Sequence, residues 1–318
     1  MKILIFVLLF CSYAFAVPIL IPPGSNAKKV ADILKEKQLI KSPKMFYLYL
    51  RTNKLTTSIH TGQFDIPQQS SYQEISAILT GKKQQLVAVT IPEGFTLQEI
   101  AARLEQNNII SNAEKFLSFV KKNENLTINQ FIKRDKLSSL EGLFFPDTYH
   151  FSRNSSYKMV YQTFIKRFNA VLIDEYRTVS KPRLSFYDTL ILASIIEKEA
   201  GTVREMPLIS GVFHNRLKKR MYLASCPTVG YAMGQPRKKS LTYKDLEYKS
   251  PFNTYKNKGL PPTPISSPGR SAFRAALYPK KTPYLYFVSK NDGSGTHVFS
   301  TNLNDHLNSQ RRILSRVK

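Results

Sequence analysis

Ile21-Pro22-Pro23-Gly24-Ser25-Asn26-Ala27-Lys28-Lys29-Val30-Ala31-Asp32-Ile33-Leu34 recurs seventy residues further on, without a gap, as Ile91-Pro92-Glu93-Gly94-Phe95-Thr96-Leu97-Gln98-Glu99-Ile100-Ala101-Ala102-Arg103-Leu104. Each copy reads as a strand end, a Pro/Gly turn and an amphipathic helix whose apolar positions include Val30 and Leu34 in one and Ile100 and Leu104 in the other. Ile40 and Ile110 keep the same register. The first third of the chain is therefore expected to hold two related small α/β units. Between the copies, Met45 to Leu50 reads as helical or buried, Thr61 to Pro67 as a turn and short strand, and Tyr72 to Leu79 as a helix ended by Gly81. The second copy, from Leu86 to Ile110, has the strand-turn-helix pattern of a LysM-like glycan-binding unit. A generic α/β module that only supports its neighbours carries the same pattern.

Upstream of the first copy, Lys2 precedes an apolar run from Ile3 to Phe10, and Ala14-Phe15-Ala16 supplies the small residues that a signal peptidase reads. This leader directs export. Apolar residues continue through Val17-Pro18-Ile19-Leu20-Ile21, close to the minimum for a membrane span, so both a cleaved leader and a retained anchor stay open. Pro18 weakens a single helix, and no small residue precedes Cys11 as a lipoprotein signal requires. The formal net charge is +25, which calls for an anionic partner. Export makes nucleic acid a poor one. With 42% hydrophobic and 22% charged residues, the chain has the balance of a folded rather than a disordered protein.

Downstream, the pattern from Ser111 to Leu140 is helical and polar, and Glu141-Gly142-Leu143-Phe144-Phe145-Pro146-Asp147-Thr148-Tyr149 reads as a packed corner between domains. Tyr157 to Arg177 forms one amphipathic pattern, and Ser185 or Asp188 can cap the next helix. That helix ends in Ile191-Leu192-Ala193-Ser194-Ile195-Ile196-Glu197-Lys198-Glu199-Ala200-Gly201. Glu199 shares a stripe with Ile196, Ile195 and Leu192, and so points where the apolar face points. Desolvation and the negative end of the helix dipole both disfavour its ionised form, as a general acid working near neutral pH requires. Gly201 fits the position just past a helix end. A surface acid paired to Lys198 or Arg204 is the bland alternative.

Met206 to Leu217 reads as a further helix, followed by a long irregular segment that includes Cys226-Pro227-Thr228-Val229 and Asn253-Thr254-Tyr255. Loops this long inside a compact domain usually carry function. A short helix from Phe273 to Leu277, a hairpin across Asn291 to Gly295 and a last helix from Leu303 complete the chain. Cys226 is the single cysteine outside the leader, so the folded part has no internal disulfide, and the surround of a catalytic thiol is missing even with His214 in the chain. The histidines are scattered, with no metal-ligand spacing; neither a metal nor a cofactor is expected.

The run from Ser194-Ile195-Ile196-Glu197-Lys198-Glu199, through Val212-Phe213-His214-Asn215-Arg216-Leu217, Pro227-Thr228-Val229-Gly230-Tyr231-Ala232-Met233-Gly234, Asn253-Thr254-Tyr255, Gly259-Leu260-Pro261-Pro262 and Pro283-Tyr284-Leu285-Tyr286-Phe287-Val288, resembles the endolytic murein transglycosylases of the MltG (YceG-like) type. Leu143 to Tyr149 and Thr61 to Phe64 look like earlier motifs of the same family. The resemblance implies an α+β fold, with small N-terminal α/β repeat units that include a LysM-like subdomain, followed by a mixed α+β lytic transglycosylase domain. The expected boundaries are 1–17 for the leader or anchor, 18–85 and 86–150 for the two units, and 151–318 for the catalytic domain.

By that resemblance the protein is a lytic transglycosylase. It is then expected to cleave nascent peptidoglycan between N-acetylmuramic acid and N-acetylglucosamine without water, to leave 1,6-anhydro ends and so to terminate strand elongation. The family's catalytic glutamate falls on Glu199. One carboxyl group serves such chemistry first as acid and then as base, whereas a hydrolase of the usual kind needs two. Glu197 lies on another face and is expected to be structural, paired to a Lys or Arg. Thr228, Tyr231, Asn253, Thr254 and Tyr255 are expected to line the glycan site, with Tyr231 or Tyr286 stacking on sugar rings. Cys226 departs from the family, where an Asp is expected. The resemblance further implies a single-pass inner-membrane protein with its catalytic domain in the periplasm, or a soluble periplasmic one after cleavage, with peptidoglycan and penicillin-binding proteins as partners. A noncatalytic cell-wall scaffold is the alternative from another class, and a conventional glycoside hydrolase a third.

Overall fold

The computed structural model describes residues 16–81, 86–122, 132, 139–238 and 240–315. The leader up to residue 15 and most of the polar stretch expected to be helical between 123 and 138 lie outside the described residues. Two compact units divide the chain. One takes the described residues up to Val87 together with Ser152–Met159; the other takes Ala88–Phe151 and the residues from Val160 onward. The second copy of the repeat thus belongs to the same unit as Glu199.

The duplication is structural as well as sequential. In the first copy, strand β1 (Ala16–Ile21), helices α1 (Ala27–Glu36) and α2 (Pro43–Thr52), strand β2 (Gly62–Pro67) and helix α3 (Tyr72–Thr80) follow in order. In the second, β3 (Leu86–Thr90), α4 (Leu97–Gln106), α5 (Ala113–Lys122), β4 (Thr148–Ser152) and α6 (Tyr157–Phe168) repeat that order. β1 pairs antiparallel with β2, Ile19 opposite Phe64, and β3 pairs with β4. The buried positions coincide: Ile19 with Val89, Ile21 with Ile91, Val30 with Ile100, Leu34 with Leu104, Phe46 with Phe116 and Leu50 with Val120. The shared Gly is explained by backbone. Gly24 at φ +76° and Gly94 at φ +74° occupy the left-handed region that turns the strand into its helix. Each helix is then capped, α1 by the Asn26 side chain and α4 by a reciprocal box between Thr96 and Glu99.

In the larger unit, the corner from Leu143 to Tyr149 supplies the floor of an aromatic cluster. Phe144 stacks on Phe164 with centroids 4.6 Å apart, Tyr149 lies 4.3 Å from Phe164, and Tyr149 donates its hydroxyl proton to the Phe145 carbonyl. The pattern from Tyr157 to Arg177 is not one regular helix: a wide π-type turn at Asn169–Ile173 separates α6 from α7 (Asp174–Arg177). It re-aims the apolar stripe, so that Leu172 and Ile173 are buried as well.

Next come α8 (Phe186–Glu199), α9 (Met206–Lys218), α10 (Cys226–Ala232), α11 (Tyr243–Leu246) and α12 (Arg270–Leu277). The segment after α9 is therefore less irregular than its sequence suggests. Ser185 caps α8 by accepting the Asp188 amide. From Phe186 to Ile196, α8 is buried on all sides except at Asp188, so it is a central helix rather than an amphipathic one. A final antiparallel hairpin of β5 (Tyr286–Ser289) and β6 (His297–Ser300) leads into α13 (Leu303–Leu314). Among the described residues no helix is long and apolar enough to cross a membrane.

Candidate active site

Glu199 is the last residue of α8, and the chain leaves the helix at once: Ala200 is extended, with its amide still bonded to the Ile196 carbonyl. Gly201 is not the left-handed cap expected from sequence. A Cβ there would meet the Gly295 carbonyl oxygen at 2.3 Å, so the residue is Gly because the loop between β5 and β6 crosses it backbone to backbone. That crossing brings β6 toward the end of α8. His297, the first residue of β6, is held by Glu205, whose Oε2 lies 2.8 Å from His297 Nδ1 and 3.0 Å from its backbone nitrogen.

Glu199 is partly exposed as a residue, while its carboxyl end is closely packed. Burial pushes its pKa above the usual carboxylate range, against the opposing pull of a Ser225 hydrogen bond and the charges of His297 and Arg216. Ser225 donates its hydroxyl proton to Glu199 Oε1 at 2.6 Å. Arg216 comes from α9 and is itself pinned, Nε donating to the Leu285 carbonyl and Nη1 to that of Leu223, its guanidinium 5.2 Å from the Tyr286 ring.

Several residues expected to touch a glycan lie beneath this surface. Thr228 and Asn253 have no exposed surface and Thr254 only 1%. Thr228 donates to the Ser225 carbonyl and lies 2.9 Å from the Thr254 hydroxyl, which in turn accepts the Ser225 amide. Asn253 donates to the Leu246 and Tyr248 carbonyls and accepts the Tyr255 amide, so it ties the loop after α11 together. Tyr231 packs 5.1 Å from Phe252 and donates to Glu141, and Tyr286 stacks on His306. Tyr255 is half-buried, with its hydroxyl 3.0 Å from the sulfur of the exposed Cys226. Of the expected set, Tyr255 combines a partly open surface with closeness to Glu199. His214 is no partner of Cys226; its Nε2 lies 3.0 Å from the Ala276 carbonyl.

Among the described residues Glu197 makes no salt bridge with the expected Lys or Arg, although the charge of Lys198 acts on it. It accepts the Gly269 amide at 2.9 Å, and burial pushes it up to about 7. Lys198 donates instead to the Gly94 carbonyl. That bond belongs to a set fixing the turn of the second repeat copy. Gly94 and Phe95 exchange backbone bonds with Ser267, and the Leu97 amide donates to Glu141. Sequence reading missed Ser225 and Glu141. Among the described residues no cluster of three His, Cys, Asp or Glu side chains is disposed to hold a metal ion.

A central helix that ends in a hydrogen-bonded carboxyl group of raised pKa makes Glu199 the candidate acid on an α+β scaffold. Residues 19–312 match the YceG-like family, and the chain belongs to it. It is 36% identical over 306 residues to an endolytic murein transglycosylase of Bacillus subtilis, covering 93% of this chain and 84% of that one. It is 29% identical to an endolytic murein transglycosylase of Streptococcus pneumoniae, covering 90% of this chain but only 56% of the pneumococcal protein. The crystal structure of a YceG-like protein from Listeria monocytogenes is similar with a TM-score of 0.59 and 34% identity, over 92% of this chain and 98% of the other.

Proposed function

We propose that the chain is an endolytic murein transglycosylase and that Glu199 is its catalytic residue. The observation that carries this is the Glu199 carboxyl group at the end of α8, raised in pKa and bonded to Ser225, while the neighbouring raised carboxyl of Glu197 is turned to the Gly269 amide. Protonated Glu199 gives its proton to the glycosidic oxygen as the bond to muramyl C1 breaks. The C6 hydroxyl then bonds to C1 and returns its proton to Glu199. No water is consumed, because the sugar's own hydroxyl is held next to the reacting carbon. Glu197 is unsuited to a second catalytic role, since its carboxylate is engaged by the Gly269 amide.

Tyr255 is the candidate for direct glycan contact, while Thr228, Thr254 and Asn253 support the loops around Glu199 from below. The second repeat copy is the candidate LysM-like unit, in which a glycan-binding role rests on its strand-turn-helix pattern. An inner-membrane anchor from the leader, a periplasmic catalytic domain and an association with peptidoglycan synthases follow from the resemblance and the apolar run before Cys11.

Digestion of purified murein, analysed by mass spectrometry for wild type and Glu199→Gln, tests the reading. Anhydro-ended products from the wild type and none from the variant are expected. Reducing ends would mean hydrolysis. Murein pelleting without cleavage by folded wild-type protein would instead make it a scaffold.

A further inference from the structure

We infer that Ser225 is a positioning residue that fixes which oxygen of Glu199 carries the catalytic proton. The inference deepens the reading of Glu199 as the acid and rests on it. Ser225 directly precedes α10, where a serine ordinarily accepts an amide of the first turn through its side chain. It does not cap α10 in that way. Its side chain makes no capping bond; the Thr228 amide goes to the Ser225 carbonyl, and the hydroxyl is spent on Glu199.

A hydroxyl has one proton to give. Since Ser225 gives it to Oε1, that oxygen is an acceptor, and the proton of neutral Glu199 sits on Oε2. Among the described residues nothing donates to Oε2, which leaves it for the glycosidic oxygen. The backbone that carries the hydroxyl is held from behind. The Ser225 amide donates to Thr254 Oγ1 at 3.0 Å, its carbonyl accepts the Thr228 hydroxyl at 2.7 Å, and the Ala224 amide donates to the Thr254 carbonyl. Ser225 is 1% exposed, so water does not compete for the bond.

The bond also strengthens when it is needed. As Glu199 releases its proton, Oε1 gains negative charge, and a hydrogen bond to a charged acceptor is stronger than one to a neutral acceptor. Ser225 therefore stabilises the cleavage transition state more than the bound ground state. Arg216 from α9, Cys226 from α10, Tyr255 from the loop after α11 and His297 from β6 also act on Glu199, and all four side chains are retained when position 225 is changed.

The test is steady-state cleavage of murein glycan by the full chain, followed across pH, for wild type, Ser225→Ala and Ser225→Thr. Loss of the hydroxyl is expected to lower kcat by roughly 10- to 100-fold with KM unchanged. It should also move the basic limb of the kcat profile to higher pH, because removing a donor to the carboxylate raises its pKa. Ser225→Thr retains the hydroxyl and should keep the wild-type limb. A thermal melt of each variant verifies folding; if Ser225→Ala does not fold, Ser225→Cys is read for the same two changes. Wild-type kcat in the folded hydroxyl-free variant, or a fall in kcat with an unmoved limb, overturns the inference. Glu199→Gln in the same assay separates the two levels: an active Glu199→Gln sinks the parent reading, whereas an inactive one beside a wild-type-like Ser225→Ala sinks the role of Ser225 alone.

Discussion

Glu197 and Glu199 stand two residues apart on α8, both with raised pKa, and their partners separate them. Glu197 accepts a backbone amide from Gly269 and has burial and nearby Glu93 acting to raise its pKa. Glutamine there keeps an acceptor for the amide and removes only a carboxyl that is half protonated near neutral pH. Glu197→Gln should therefore keep murein cleavage within about threefold of wild type, and a change in barrier of more than about 1.4 kcal/mol, measured as kcat, would contradict a structural role. The place of Glu199 at the end of a buried helix was legible in the sequence because the end of an apolar pattern is a local property. Ser225 was not. A serine preceding a helix that starts with Cys-Pro is what any N-cap looks like, and its turn toward Glu199 depends on chain folded from far away. Thr228 and Thr254 misled for the same reason, since polar residues in a motif look like ligand contacts until their bonds to Ser225 are seen.

At the scale of elements, the end of α8 is located by a crossing with the hairpin. The Gly201–Gly295 approach leaves no room for a methyl group on Gly201. Gly201→Ala should cost about 1–3 kcal/mol and lower kcat, because the hairpin must back away from the helix end that carries Glu199. Urea unfolding and turnover measure both effects, and retention of both would mean that the hairpin does not position the site. A separate tie runs through Glu141, 4% exposed, which joins the start of α4 to Tyr231 in α10. Burial pushes Glu141 up to about 7 from 4.5. Between those values the folded state holds a proton that the unfolded state has lost, so stability falls as pH rises through the window and levels off above it. Glu141→Gln, which does not titrate, should gain on wild type by up to about 1.4 kcal/mol per pH unit between pH 4.5 and 7. Parallel urea midpoints across that window would rule this out. The repeat, the hairpin and most helices were readable because caps and periodicity are written locally. The π-type turn inside the Tyr157 to Arg177 pattern and the all-round burial of α8 were not, because tertiary packing decides both.

For the whole molecule, charge and duplication set the expectations. A net charge of +25 should make association with purified murein, a polyanionic surface, sensitive to ionic strength. Pelleting with murein should weaken as salt rises from about 0.1 M to about 1 M, over which screening shortens from ~10 Å to ~3 Å. Salt-independent pelleting would place recognition in uncharged contacts. The duplication has a different outcome in each copy. The Gly94 turn is stitched by Ser267, Lys198 and the neighbouring Glu141, all within the larger unit, whereas Pro23 and Gly24 at the matching turn are exposed. Two loops of common ancestry thus differ in how much extra chain they can accept. A Gly-Ser insertion after Gly24 should be carried without loss of expression or turnover, while the same insertion after Gly94 should abolish both, which makes the first turn the natural place for a tag or a fluorescent graft.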